Sequence, residues 1–270
     1  MRKMFPAEEL ARDSRFVRYE PNQSISDPRR QGAGRTQGRL DADSYSSAER
    51  ARGVMHGILV GEIQALEGAG RTCWDFEVGD GPDQAPYELK LDMARQAWDE
   101  ARHCEISVKL AGHMGSEIGE FAESTFLYEA ACHPDPVLRL AGANRALEGL
   151  AIDVSNTMRE FGVQGGDPVL TYCEDWMLAD EVTHVKMGSN WLRRLTDGDP
   201  ERRKKALEFQ RVVDKLFSFN GLRGEEADSP VQLARRFREL AGFSTSEIDD
   251  IADMSTEARA EMVVGTPDPS

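Results

Sequence analysis

The sequence predicts an all-α fold: a four-helix bundle preceded by an extended N-terminal arm and followed by additional C-terminal helices. Three observations predict it. Apolar residues recur at helical spacing through four stretches, each of about 24 to 30 residues, as an antiparallel bundle requires. Clusters of Gly, Asp and Pro separate those stretches. No segment shows the sustained apolar–polar alternation of a strand.

Taken in order, residues 1–45 are polar and rich in Arg, Asp, Ser and Gly, with Phe5, Phe16 and Tyr19 interspersed. They are expected to form an extended, partly disordered arm whose aromatic residues dock on the domain or on a partner subunit. The bundle is assigned to residues 46–198. Ser46-Ser47-Ala48-Glu49 reads as a capped start, and the first helix runs toward Thr72. A loop at Gly79-Asp80-Gly81-Pro82 precedes the second helix, from about Pro86 to Met114. The connection that contains Glu117 to Tyr128 holds short helical pieces and is long enough for a crossover. It ends at His133-Pro134-Asp135-Pro136, where Asp135 caps the third helix and Pro136 takes its first position. That helix is expected to end near Gly162. Gly165-Gly166-Asp167-Pro168 repeats the same punctuation and opens the fourth, which stops at Asp197-Gly198. Accessory helices within 199–255 are placed at about 200–218, 230–241 and 245–253, with a polar tail at 256–270.

Composition excludes several classes. The formal net charge is −15, and the one basic cluster, Arg202-Arg203-Lys204-Lys205, reads as the solvated face of a helix start. Nucleic acid is therefore not an expected partner. No apolar run approaches the roughly 18 residues needed to cross a membrane. Met1-Arg2-Lys3-Met4-Phe5-Pro6 is not followed by an apolar stretch, so a cytoplasmic protein is expected. Cys73, Cys104, Cys132 and Cys173 form no CxxC pair, which argues against a thiolate metal site and against a disulfide framework.

The chemistry resides in a pattern that occurs twice. Asp99-Glu100-Ala101-Arg102-His103 lies on the second long helix and Asp180-Glu181-Val182-Thr183-His184 on the fourth. Residues three apart share a helix face, so each Glu-x-x-His can aim a carboxylate and an imidazole at one metal ion. A bundle site for two metals also needs one inward glutamate from each remaining helix. Glu62 lies in line with Met55, Ile58, Leu59, Leu66 and Ala69, and Glu148 with Ala141, Ala151 and Ile152. A carboxylate on such an apolar face is costly unless a cation neutralises it. The chain then reads as two helical hairpins, with 38 residues from Glu62 to Glu100 and 33 from Glu148 to Glu181. Glu100 and Glu181 are the expected bridging carboxylates, with Glu62 and Glu148 terminal and His103 and His184 one on each metal. Asp180 and Asp99, each four residues before a histidine, are placed to orient the imidazole of the opposite motif: Asp180 that of His103, Asp99 that of His184. Mixed carboxylate and imidazole ligands favour iron or manganese over structural zinc.

At these residues the sequence resembles the ferritin-like di-iron carboxylate superfamily. Within it, the narrower resemblance is to a bacterial ferritin-like family of largely unassigned function, distantly similar to a tRNA hydroxylase. The resemblance spans about residues 50–195. It rests on Met55-His56, on Glu62-x-Gln64-Ala65-x-Glu67, on the two Asp-Glu-x-x-His motifs, on Leu147-Glu148, and on Val185, Gly188 and Trp191. Val60 is a departure, standing where members of that family tend to carry a second histidine. The resemblance implies a ferritin-like bundle with two iron ions, or one manganese and one iron, and dioxygen as co-substrate. The reaction it implies is oxidation of a small organic molecule by hydroxylation, N-oxygenation, desaturation or cleavage, with a separate electron donor. A homodimer is expected. Ser107 and Gly188, one turn after the two histidines, stand where a radical-generating reductase subunit would need a tyrosine, and no CxxC iron module of a rubrerythrin-like peroxidase is present. The alternatives are a ferroxidase or iron-storage protein without organic substrate, and a non-catalytic helical scaffold.

One or two turns from the ligands, Met93, Gln96, Ser107, Asn144, Ser155, Glu174 and Met177 face the same way. Glu174, two turns before Glu181, either binds an amine or cationic group, serves as an extra ligand, or, as its ordinary reading, reaches solvent near the bundle end. Trp98, Trp176 and Trp191 read as core or interface residues, and His56 and His113 as structural or exposed.

Overall fold

The computed structural model describes residues 47–121, 125–218, 223–225 and 229–264. The arm assigned to 1–45, Ser46 of the first cap and residues 265–270 of the tail lie outside the described residues.

The fold is all-α. Helix α1 (Ser47–Asp75) leads through a loop, tied by a parallel bridge between β1 (Glu77–Val78) and β2 (Gln84–Ala85), into α2 (Tyr87–His113). Short α3 (Phe126–Ala131) lies in the next connection. One continuous helical rod then runs from Pro136 to Gly165: α4 (Pro136–Arg139), a π-helical segment (Leu140–Leu147) and α5 (Glu148–Gly165). Helix α6 (Pro168–Leu195) completes the second hairpin. The side chains of Asp135 and Asp167 each accept two backbone N–H groups at these starts, from Val137 and Leu138 and from Val169 and Leu170, with proline at the first helical position. Between α5 and α6 the backbone reverses at Gly166, whose φ of 67° is the left-handed conformation that glycine adopts without strain.

Two apolar layers fix the helix directions. Phe76, Leu89, Met93, Leu140 and Trp191 pack together at one end, and Met55, Ile58, Leu110, Met158, Leu170 and Met177 at the other. Helices α1 and α6 therefore run one way and α2 and the α4–α5 rod the other. The connection after α2 is a crossover that travels back along α1: the Gly119 N–H donates to His56 Nε2 and the Tyr128 N–H to Gln64 Oε1.

The C-terminal helices share the core of the second hairpin. Ala206, Val213 and Phe217 of α7 (Pro200–Phe217) pack on the π-helical segment, and the segment around α8 (Arg235–Leu240) covers Ile152, Leu178 and Val185. All eight residues of the π-helical segment are consequently buried. Beneath α8 lies an ion network of fully buried groups: Arg238 donates to both oxygens of Asp153, and Arg223 lies 3.6 Å from Asp153 and 3.4 Å from Asp214.

Three expectations need correction. The helix placed at 230–241 begins at Arg235, because Val231–Gln232 (β4) pairs in parallel with Arg223–Gly224 (β3). The last helix, α9 (Thr245–Val264), does not stop at 253. Met254 and Ser255 are buried and carry it on, so residues 256–264 of the expected polar tail are helical. The third helix is not uniformly α. Among the described residues no helix is long and apolar enough to cross a membrane.

Candidate metal centre

The four long helices each bring an acid to one level of the bundle, and all six expected residues are buried: Glu62, Glu100, His103, Glu148, Glu181 and His184. Their ligand atoms fall into two groups, Glu62, Glu100, His103 and Glu181, and Glu100, Glu148, Glu181 and His184. Within each group one atom from every residue lies within 4.8 Å of the others, and Glu100 and Glu181 belong to both. His103 Nδ1 is 3.0 Å from Glu100, 3.0 Å from Glu181 and 3.4 Å from Glu62. His184 Nδ1 is 3.1 Å from Glu100, 3.4 Å from Glu181 and 3.9 Å from Glu148.

The outer edges of the two rings meet the aspartates. His103 Nε2 lies 3.3 Å from Asp180 and His184 Nε2 3.4 Å from Asp99, so each aspartate reaches the histidine of the opposite motif. A proton held on Nε2 by an aspartate leaves the Nδ1 lone pair facing the carboxylates. Lone pairs this close repel unless a proton or a metal ion stands between them. Arg102 bridges Asp99 and Asp180 and stacks 4.6 Å over Trp176. Its part was not drawn from the sequence, although its place three residues after Asp99 was the available signal.

Electrostatics point the same way. Burial pushes the Glu62 carboxyl up to about 8, and burial followed by the charge of Glu100 raises Glu148 well above the usual range. Burial also works against charge on Glu181, yet the close approach of His103 and His184 holds it below the ordinary carboxylate value. Burial would lower His103, but Asp180, Glu100, Glu181 and Glu62 together raise it. His184 is raised well above its ordinary value against burial by Glu100, Asp99 and Glu148. The cluster is thus short of positive charge: among the described residues no Lys or Arg pairs with any of the four glutamates. Among the described residues, both oxygens of Glu181 and Nδ1 of His184 have no hydrogen-bond partner, because their neighbours sit at the right distance but off the bonding direction. Four carboxylates and two neutral imidazoles carry a charge that two divalent cations would cancel. Buried carboxylate and histidine groups so arranged could hold metal ions.

The pocket residues inferred from sequence are all buried. Gln96 donates to Glu148 at 2.6 Å and to Glu100 at 3.0 Å, and its own oxygen accepts from Asn144 at 2.6 Å. Asn144 projects from the π-helical segment, whose close fit depends on two glycines. A Cβ on Gly142 would lie 2.3 Å from the Ala131 carbonyl oxygen, and one on Gly188 2.4 Å from the Asn144 Cβ. Ser107 lies 4.0 Å from the Met177 sulfur. The ordinary reading of Glu174 fails: it is fully buried, neither oxygen has a hydrogen-bond partner among the described residues, and it belongs to neither ligand group. Burial first, then the charge of Glu62, raises it well above the usual range. Ser155 is likewise buried, its hydroxyl without a hydrogen-bond partner among the described residues. His56 is buried in the crossover contact, and His113 pairs with Asp167 at 2.7 Å, both away from the cluster. Trp191 is core, whereas Trp98 is exposed.

Fold and site together define an all-α protein with a buried carboxylate–imidazole cluster suited to metal ions. The chain belongs to the DUF455 family, proteins of unknown function, whose profile matches residues 2–249. A Haemophilus influenzae protein described as an uncharacterized protein is 24% identical over 226 residues, covering 78% of this chain and 71% of that protein. No solved structure matches.

Proposed function

We propose that this protein is a ferritin-like oxidoreductase with two iron ions, or one manganese and one iron, that uses dioxygen to oxidise a small organic substrate. The observation that carries the reading is the sharing of Glu100 and Glu181 between two otherwise separate ligand groups. A single-ion structural site has no use for a second histidine and a second terminal glutamate at the far side of the same carboxylates. Reduced metal ions held there would supply the electrons for dioxygen reduction.

The chain's own residues have definite parts in this reading. Asp180 and Asp99 keep the Nε2 protons on His103 and His184 and leave Nδ1 free for a metal. Gln96, itself held by Asn144, fixes one oxygen of Glu100 and one of Glu148, so that carboxylate movement is confined to the remaining oxygens. Burial and the charge of Glu62 disfavour the charged form of Glu174 beside the cluster, the form in which it would compete for metal.

The test is dioxygen consumption by iron-reconstituted protein across a panel of small organic compounds. Uptake that rises with a particular compound supports the reading. Uptake stoichiometric with added iron alone, in a particle large enough to be a cage, would assign the site to iron storage, and no uptake would leave a scaffold.

A further inference from the structure

A cleft of about 250 Å3 opens between α2 and α6, on the His184 side of the cluster. That is room for about eight waters at their share of liquid volume, enough for a short organic molecule. Its lining includes Gln96 and His184, both buried and both in contact with the carboxylate cluster. A molecule seated in the cleft would therefore lie against the centre without crossing the bundle.

The charges of the lining are unequal in availability. Asp92 is engaged by the Trp191 indole N–H at 2.7 Å, and Asp99 by His184 and Arg102. The two cations are differently placed. Lys186, on α6, is exposed and has no ion-pair partner among the described residues, and Arg95, on α2, is exposed and reaches Asp99 only at 3.9 Å. They stand on the two opposing helices, with the side chains of Met187 and Trp191 as apolar wall. On a chain of net charge −15, a cleft whose two exposed charged side chains are both cations, while its two aspartates are turned onto Trp191, His184 and Arg102, favours an anion against the general field of the surface.

We propose that this cleft binds a small organic anion, its carboxylate or phosphate held by Arg95 and Lys186 and its apolar part laid along Met187 and Trp191 toward Gln96 and His184. The assignment rests on the two-metal reading above for its meaning as a substrate site, but the binding itself does not require metal.

Calorimetric titration of hexanoate, benzoate and butyl phosphate tests it, with hexylammonium as the cationic counterpart, on metal-free and zinc-loaded protein. At least one anion should bind, and hexylammonium should not. The Arg95→Gln/Lys186→Gln double variant, both positions exposed, should keep its helical circular dichroism and weaken anion binding by roughly tenfold or more. Relative affinity for hexanoate and butyl phosphate distinguishes the two kinds of head group. Binding of none of the three anions, equal binding of hexylammonium, or unchanged affinity in the double variant would overturn the proposal. Metal content measured on the same samples separates the two ideas: a protein that holds two metals but no anion loses only the cleft, and one that binds anions without metal loses only the centre.

Discussion

Replacing Glu174 by leucine should make the metal-free protein more stable, the reverse of the usual effect of a core substitution. Both Glu174 oxygens are buried with no hydrogen-bond partner among the described residues. A buried polar group left without partners costs about 1–3 kcal/mol, and leucine removes that cost while filling similar volume with apolar atoms. For a chain of this length the gain corresponds to a rise in Tm of roughly 2–10 °C. Glu174→Gln, which keeps polar atoms in the same place, should gain much less. The assay is thermal unfolding of metal-free wild type and both variants at neutral pH, followed by circular dichroism. A Leu variant that melts below wild type would show instead that Glu174 has a stabilising partner. A residue that destabilises the fold yet sits beside the centre has a functional explanation or none in the fold itself.

Three further outcomes follow from the same geometry. Gly188→Ala puts a methyl 2.4 Å from the Asn144 Cβ and 3.3 Å from its carbonyl oxygen, so calorimetry should register a loss of about 1–3 kcal/mol, with weaker metal binding as Gln96 shifts. Asp99→Asn and Asp180→Asn should each weaken metal binding about 10- to 100-fold, measured by competition with a chelator, while Asp175→Asn, distant on the exposed side of α6, should not. Metal-free protein should lose stability as pH rises from about 5 to 9. Folded Glu62 keeps a proton up to about 8 that the unfolded chain releases near its ordinary 4.5, and the raised His103 and His184 act in the same direction above 6.5. Metal must displace those protons, so the stabilisation it confers should grow over the same range; a flat pH profile of Tm in metal-free protein would contradict this.

Local chemistry made most of the frame legible. Asp135-Pro136 and Asp167-Pro168 are start signals complete within four residues, and they place two helices without reference to the rest of the chain. The six cluster residues were legible because helical spacing alone puts Glu and His on one face, and because an apolar stripe around Glu62 or Glu148 leaves a carboxylate only an inward direction. What escaped depends on contacts between distant segments. Leu140–Leu147 has ordinary helical composition, and its π-helical geometry goes with the fit of Gly142 against the Ala131 carbonyl and Phe209 and with Asn144 reaching Gln96. The spacing of Glu174 from Glu181 put it on the ligand face, but its full burial near Glu62 and His103 depends on other helices and is not written in its own segment. The extension of α9 past residue 253 depends on Met254 and Ser255 meeting the core, where the Ser255 hydroxyl reaches Ser218.

A centre in which two cations share Glu100 and Glu181 has a fixed metal stoichiometry. Elemental analysis of protein loaded with ferrous iron without oxygen, then freed of excess metal, tests it directly, with Glu62→Ala and Glu181→Ala measured alongside. Wild type should retain two iron ions per chain, the Glu62 variant one, since Glu62 serves a single group, and the Glu181 variant fewer than one, since Glu181 serves both. Wild type that retains one ion or none, or a Glu181→Ala protein that still holds two, would contradict it.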